Sequence, residues 1–302
     1  MADRGVQDRA RGALLGLATG DAVGTTLEFR SRDSYEPLTD MVGGGPFDLK
    51  PGEWTDDTSM ALALADSLVA TGEFDAEDLM QRFVRWWRKG EYSVTGRCFD
   101  IGITTSRALA RFEGDGNPYA GSRDPGAAGN GSLMRLAPVA IWGVGRDGMN
   151  MRDVARRQSE TTHAAPACLD ACEAAALLLR ALIDGGSFEA ALAEARAVDA
   201  VDPIATILAG DWQSKARGEI GSSGYVAHSL EAALWCVART DDFRSAVLLA
   251  ANLGDDADTT AAITGQIAGA LYGANGIPAD WLDKLAWRAR MTELADRLLA
   301  AV

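Results

Sequence analysis

Residues 8–24 read DRARGALLGLATGDAVG, with Gly12, Gly16, Gly20 and Gly24 at four-residue spacing. Four residues is close to one helical turn, so the glycines stack as a stripe on one face. Each interior glycine costs a helix about 1 kcal/mol relative to alanine. Such a stripe is therefore the mark of another helix approaching closely. Gly265 and Gly269, in the small-residue stretch Ala261 to Tyr272, mark close helix contact again near the other end of the chain. Between them the helical period recurs. Asp75 caps a helix to about Lys89 whose Leu79, Met80, Phe83, Val84, Trp86 and Trp87 form an apolar face. Further helices are expected over Ala167 to Ile183, from Ser187 to about Val198, over Tyr225 to Val237, and after Asp242. No stretch alternates as a strand would. The expected fold is all-α, a single-domain orthogonal bundle of ten or more helices over residues 1–302.

Directly before Ala261 stands Gly254-Asp255-Asp256-Ala257-Asp258-Thr259-Thr260, and Thr55-Asp56-Asp57-Thr58 opens the Ala/Leu-rich stretch Ser59 to Ala70. Carboxylates so crowded repel one another and take up protons unless a cation or solvent neutralises them. All the donors are oxygen, which selects a hard ion, magnesium, manganese or calcium, over zinc or copper. The bland reading is two acidic helix caps, since Asp and Thr favour the first turn. The recurrence favours the metal reading: Thr55, Asp56, Asp57, Asp256, Asp258 and Thr259 together supply what a pair of divalent ions needs.

Composition narrows the partners. The chain has 302 residues, is 47% hydrophobic, and carries a formal net charge of -14 with a pI near 4.6. That size and apolar content suffice for a large core. The charge argues against a broad basic surface for nucleic acid, though not against an anionic nucleotide held by metals and backbone amides. Cys98, Cys168, Cys172 and Cys236 form no CxxC pair and no zinc-finger spacing, so buried thiols in a reducing cytoplasm are expected. No apolar run reaches the ~18 to 20 residues of a membrane span. Residues 31–53, with Gly43-Gly44-Gly45-Pro46 and Pro51-Gly52, read as a long irregular connection and a candidate lid.

In order and spacing, six motifs resemble the ADP-ribosylglycohydrolases, whose bacterial branch reactivates dinitrogenase reductase by removing ADP-ribose from an arginine. They are Gly20-Asp21-Ala22-Val23-Gly24 with Glu28, Trp54-Thr55-Asp56-Asp57-Thr58, Gly129-Asn130-Gly131-Ser132-Leu133-Met134-Arg135, Thr161-Thr162-His163, Gly224-Tyr225-Val226, and Gly254 to Thr259. The resemblance implies an all-α hydrolase with two Mg2+ or Mn2+ ions, acting on an ADP-ribosylated protein and releasing ADP-ribose. It implies that Asp100 and Glu28 are catalytic, and that Gly102, Asn130, Gly131, Ser132, His163 and Tyr225 bind substrate. Read from its neighbours alone, Asp100 would cap the helix that follows. The residues around it depart from the arginine-acting branch. Ala127 and Ala128 stand where some relatives carry hydroxyl or aromatic residues, so phosphate contact would lean on main-chain N–H groups. Hydrolysis of serine-linked or other ADP-ribose conjugates, and non-catalytic binding of ADP-ribose, are the alternatives.

Overall fold

The computed structural model describes residues 3–300. Among them the chain forms fourteen α-helices: α1 Arg4–Gly24, α2 Asp56–Thr71, α3 Ala76–Lys89, α4 Ile103–Asp115, α5 Ala137–Trp142, α6 Gly148–Glu160, α7 Pro166–Ile183, α8 Phe188–Ala195, α9 Ile204–Ala209, α10 Val226–Ala238, α11 Phe243–Ala251, α12 Ala257–Tyr272, α13 Ala279–Lys284 and α14 Arg288–Ala300. No sheet forms among the described residues; three isolated β-bridges join loops. The all-α bundle expected from the periodicity is what folds.

α1 and α12 are the centre of the bundle, with α14, α5 and α7 also against α1, and α10, α11 and α7 against α12. The glycine stripe explains why they meet. A Cβ built on Gly12, Gly16 or Gly20 would lie 2.2, 2.2 and 2.1 Å from the carbonyl oxygens of Gly269, Gly265 and Ala261. The stripe thus runs antiparallel to α12, backbone on backbone, and lays the C-terminal end of α1 beside the N-terminal end of α12. That crossing delivers Asp21 and Glu28 to Asp256 and Asp258. Gly269→Ala should lower stability by about 3 kcal/mol, the upper part of the overpacking range. Its Cβ would sit 1.9 Å from the Gly12 carbonyl oxygen. Melting should fall by roughly 5–10 °C, whereas Gly114→Ala in α4, whose Cβ meets nothing within 4 Å, should melt no lower than the parent.

α3 follows its sequence pattern: Asp75 accepts from the N–H groups of Glu77 and Asp78, and Leu79, Met80, Phe83 and Trp86 are buried. Trp87 is half-buried under the Arg88 guanidinium. Residues 31–53 do not form a lid. Asn252 exchanges two hydrogen bonds with the Leu38 backbone, Trp281 Nε1 donates to Asp40, and Lys284 Nζ to the Met41 carbonyl. Stapled to Asn252 at the end of α11 and to α13, this segment supplies none of the residues that line the large cavity; Phe47 packs on Phe29 at its mouth and on Phe99.

Candidate active site

Thr55 and Asp256 are the N-caps of α2 and α12, yet neither caps its helix with its own side chain. Carboxylates from α1 and the turn after it cap both. Asp21 accepts from the backbone N–H groups of Thr55 and Thr58, at 2.9 and 3.1 Å, and from both hydroxyls, at 2.8 and 2.6 Å. Glu28 Oε2 accepts from Ala257 N at 3.0 Å and Asp258 N at 3.4 Å. Capping by neighbours frees the acidic side chains of both helix starts to face one another.

They do meet. Thr55 Oγ1 lies 3.3 Å from Asp258 Oδ2, and Thr259 Oγ1 lies 3.3 Å from Asp57 Oδ2, across about 200 residues of sequence. Oxygens of Asp21, Asp57 and Asp258 lie within 4.8 Å of one another, as do those of Glu28, Asp256 and Asp258. Asp258 belongs to both trios. Two observations test whether cations fit. Thr55 Oγ1 stands within hydrogen-bond distance of Asp21, Asp57 and Asp258 carboxylates, but a hydroxyl has one hydrogen to give. Asp57 Oδ1 is buried with no protein partner at all. A buried carboxylate oxygen without a donor is costly, and an oxygen-only donor set of this kind suits a hard divalent ion. The residues fit.

The electrostatics agree. Burial raises the pKa of Asp56, Asp57 and Asp258 well above the ordinary carboxylate range, and neighbouring carboxylates add to it. Glu28 rises for the same reasons, burial first and Asp258 next, and burial raises Asp256 too. Asp21 and Asp100 are pushed up to about 6, again chiefly by burial. Among the described residues no lysine or arginine lines the cavity to offset them. Without cations this cluster holds protons; divalent ions would let it ionise.

The cavity above the cluster has a volume of about 690 Å³, within the range of small-molecule sites. Glu28, Asp56, Asp100, Asp256, Asp258 and Thr259 form its acidic end, and Gly102, Asn130, Gly131 and His163 line it elsewhere. Thr55 and Asp57 lie buried just behind the acidic end. Asp100 does not cap α4; the N-cap is Gly102, which has no side chain to cap with, so the α4 amides open toward the cavity beside Thr104 and Thr105. An uncapped helix start is a ready anion site. Asn130 Nδ2 donates to Asp256 Oδ2 at 2.5 Å and to Ser229 Oγ at 2.8 Å, tying the glycine loop to the acidic loop. At the mouth, Phe29 and Ile103 are 68% and 70% exposed.

Two residues expected at the substrate do not line this cavity. Ser132 is fully buried, its hydroxyl hydrogen-bonded to Ser159 Oγ at 2.7 Å, because the chain turns inward after Gly131 to bury Ser132 and Leu133. Tyr225 turns its ring edge-on to His228, and it is the backbone around it that serves the site: Val226 N donates to Ala128 O and Asn130 N to Gly224 O.

The family model described as ADP-ribosylglycohydrolase matches residues 2–302. The chain belongs to the ADP-ribosylglycohydrolase family. It is 50% identical over 293 residues to the ADP-ribosylarginine hydrolase Tri1 of Serratia proteamaculans (strain 568), an alignment covering 96% of this chain and 79% of that protein. It is 36% identical over 285 residues to the ADP-ribosyl-dinitrogen reductase glycohydrolase of Rhodospirillum rubrum, covering 93% and 91%. A solved structure titled ADP-ribosylglycohydrolase-related protein complex superposes with a TM-score of 0.88 at 42% identity, covering 99% of both chains. The chain is therefore a hydrolase of an ADP-ribose glycosidic bond.

In this glycohydrolase two residues outside the expected ligand and substrate sets shape the site, Arg32 and Asp21. Arg32 donates to the carbonyls of Leu253, Arg217 and Ile220 and to Ser222 Oγ, fixing the loop before Gly254. Asp21 lies in the Gly20–Gly24 motif, but nothing in its type announces a carboxylate that caps another helix. Among the described residues no helix is long and apolar enough to cross a membrane.

Proposed function

We propose that this glycohydrolase removes ADP-ribose from ADP-ribosylated arginine on a protein, as one catalytic domain using two divalent cations, Mg2+ or Mn2+. The observation that carries the reading is the convergence of two acidic helix starts, with Asp258 shared between both carboxylate trios, at one end of a cavity whose α4 amides and Gly129–Gly131 loop suit a diphosphate. Arginine as the acceptor rests on the 50% identical relative. Thr55, Asp56, Asp57, Asp256, Asp258 and Thr259 would hold the ions, with Asp21 and Glu28 orienting the two helix starts and Glu28, at the acidic end of the cavity, also serving to hold the water or pass a proton. When bound, such cations lower the pKa of a water and steady charge at the sugar.

The protein's own groups divide the remaining work. Asp100, which lines the cavity from the irregular stretch before α4, would hand over or take up a proton at the scissile C–N bond as the ribose becomes oxocarbenium-like. The α4 amides and Gly131 orient the diphosphate, and Asn130 steadies Asp256. A cytoplasmic site of action suits four free thiols.

Incubating the enzyme with arginine-ADP-ribosylated protein should release ADP-ribose. Chelation should cut the rate by at least about 10²-fold, with Mg2+ or Mn2+ restoring it. Serine-linked substrate run in parallel should turn over at least about tenfold more slowly. Equal or faster release from serine would overturn the arginine assignment, and full activity in chelator would overturn the metal one.

A further inference from the structure

We infer that Arg135 and Thr162 lock His163 into the neutral tautomer with its proton on Nε2, making it a fixed hydrogen-bond donor to an acceptor oxygen of the substrate. Arg135 is fully buried and, among the described residues, makes no ion pair. Its guanidinium donates to Gln158 Oε1 at 2.9 Å, the Gln158 carbonyl at 2.8 Å, the Gly131 carbonyl at 3.2 Å and Thr162 Oγ1 at 3.0 Å, with a longer contact to Thr161 Oγ1 at 3.3 Å. A guanidinium has donors only, so Thr162 Oγ1 must accept.

Thr162 is fully buried, and its own hydroxyl hydrogen needs an acceptor within the protein. The acceptor within reach is His163 Nδ1, at 2.8 Å. A nitrogen that accepts carries no hydrogen, so the neutral ring holds it on Nε2. Burial, and then the Arg135 charge, lower the His163 pKa to about 3 and keep the ring neutral. Nε2 faces the cavity floor: a Cβ on Gly129 or Gly131 would lie 3.2 Å from it. Glycine at both positions leaves that N–H open to a ligand.

His163 is thereby a donor to a phosphate or ribose oxygen and is withdrawn from service as a base through Nε2. Arg135 and Thr162 act through it and are positioning residues. Through the Gly131 carbonyl, the same cation also holds the loop on which the ligand rests. This inference depends on the family's ADP-ribose pocket and is independent of whether arginine is the residue released.

The chain has two histidines, so ¹⁵N-histidine labelling yields two imidazoles, with His228 as internal reference. With magnesium present, between about pH 6 and 8, the wild-type His163 should show a bare Nδ1 and a protonated Nε2. Thr162→Val should move proton population to Nδ1 and weaken binding of ADP-ribose about tenfold, the worth of one good hydrogen bond. It should raise KM more than it lowers kcat, and Thr162→Ser should restore tautomer and affinity together. A proton on Nδ1 in the wild type overturns the inference, and that spectrum decides even where a variant fails to fold. So does a folded Thr162→Val protein with tautomer and affinity both unchanged. ADP-ribose alone is the probe, so failure of the arginine reading leaves these outcomes intact.

Discussion

Asp258→Asn should abolish turnover, with a loss of at least about 10³-fold, equal to the several kcal/mol that metal-borne charge stabilisation supplies. Asp258 is the one carboxylate common to both trios, so its replacement reaches both halves of the proposed cation site at once. An amide still offers one oxygen but removes the negative charge. The fold should survive, because Thr55 and Thr58 remain capped by Asp21, and Ala257 by Glu28. The metal-free variant should in fact melt higher than the metal-free parent near pH 8. The sign follows from linkage. In the metal-free protein Asp258 has a pKa raised by burial and by Asp256, so folding is favoured while the group is protonated and disfavoured as pH climbs above the ordinary carboxylate value. Asp21, raised to about 6, works in the same direction from about pH 4 to above 6. Melting of the metal-free parent should therefore rise as pH falls from about 8 to 5, and Mg2+ or Mn2+ should flatten that slope. Wild-type hydrolysis by Asp258→Asn at limiting metal, or a metal-free parent that melts lower at pH 5, would contradict this account.

The helices that could be read were legible because their signals are local, whereas α5, α6, α9, α13 and α14 were not named from the sequence. The stripe from Gly12 to Gly24, the Asp75 cap and the apolar face of α3 each lie within a few turns, and so does each Thr/Asp cluster. What the stripe could not name was its partner. That Gly12 meets Gly269, and Gly20 meets Ala261, is a contact between chain ends. The same limit hid the capping. A helix start rich in Asp and Thr reads as self-capped, and only the α1–α12 crossing shows that Asp21 and Glu28 do this work from outside. Ser132 and Tyr225 failed as cavity-lining residues for a related reason. Their motifs lie at the site, but which residue of a tight turn faces the cavity depends on what packs beside it, here Ser159 for Ser132 and His228 for Tyr225. The loop at residues 31–53 has lid-like composition, yet its fate was decided by Asn252, Trp281 and Lys284, more than 200 residues away.

Asp100→Asn should lower turnover by roughly 10² to 10⁴, the usual contribution of a positioned proton-transfer group, while ADP-ribose and metal affinities stay near those of the parent. The structure makes this a sharper test than the sequence allowed. As a helix cap Asp100 would tolerate Asn, since Asn caps about as well as Asp. But α4 starts after Gly102, and Asp100 instead lines the acidic end of the cavity against Asp56. An amide there keeps the size and one acceptor oxygen but loses the negative charge and the ability to take up and return a proton. The contact with Asp56 supplies the competing explanation: Asp100 could act by holding a cation ligand. Measuring metal affinity on the same variant separates the two. Lost turnover with intact metal and ADP-ribose binding assigns the proton-transfer role. Lost metal binding assigns Asp100 to the support of Asp56, weakened ADP-ribose binding moves it to the substrate shell, and unchanged turnover on arginine-modified protein removes it from the reaction.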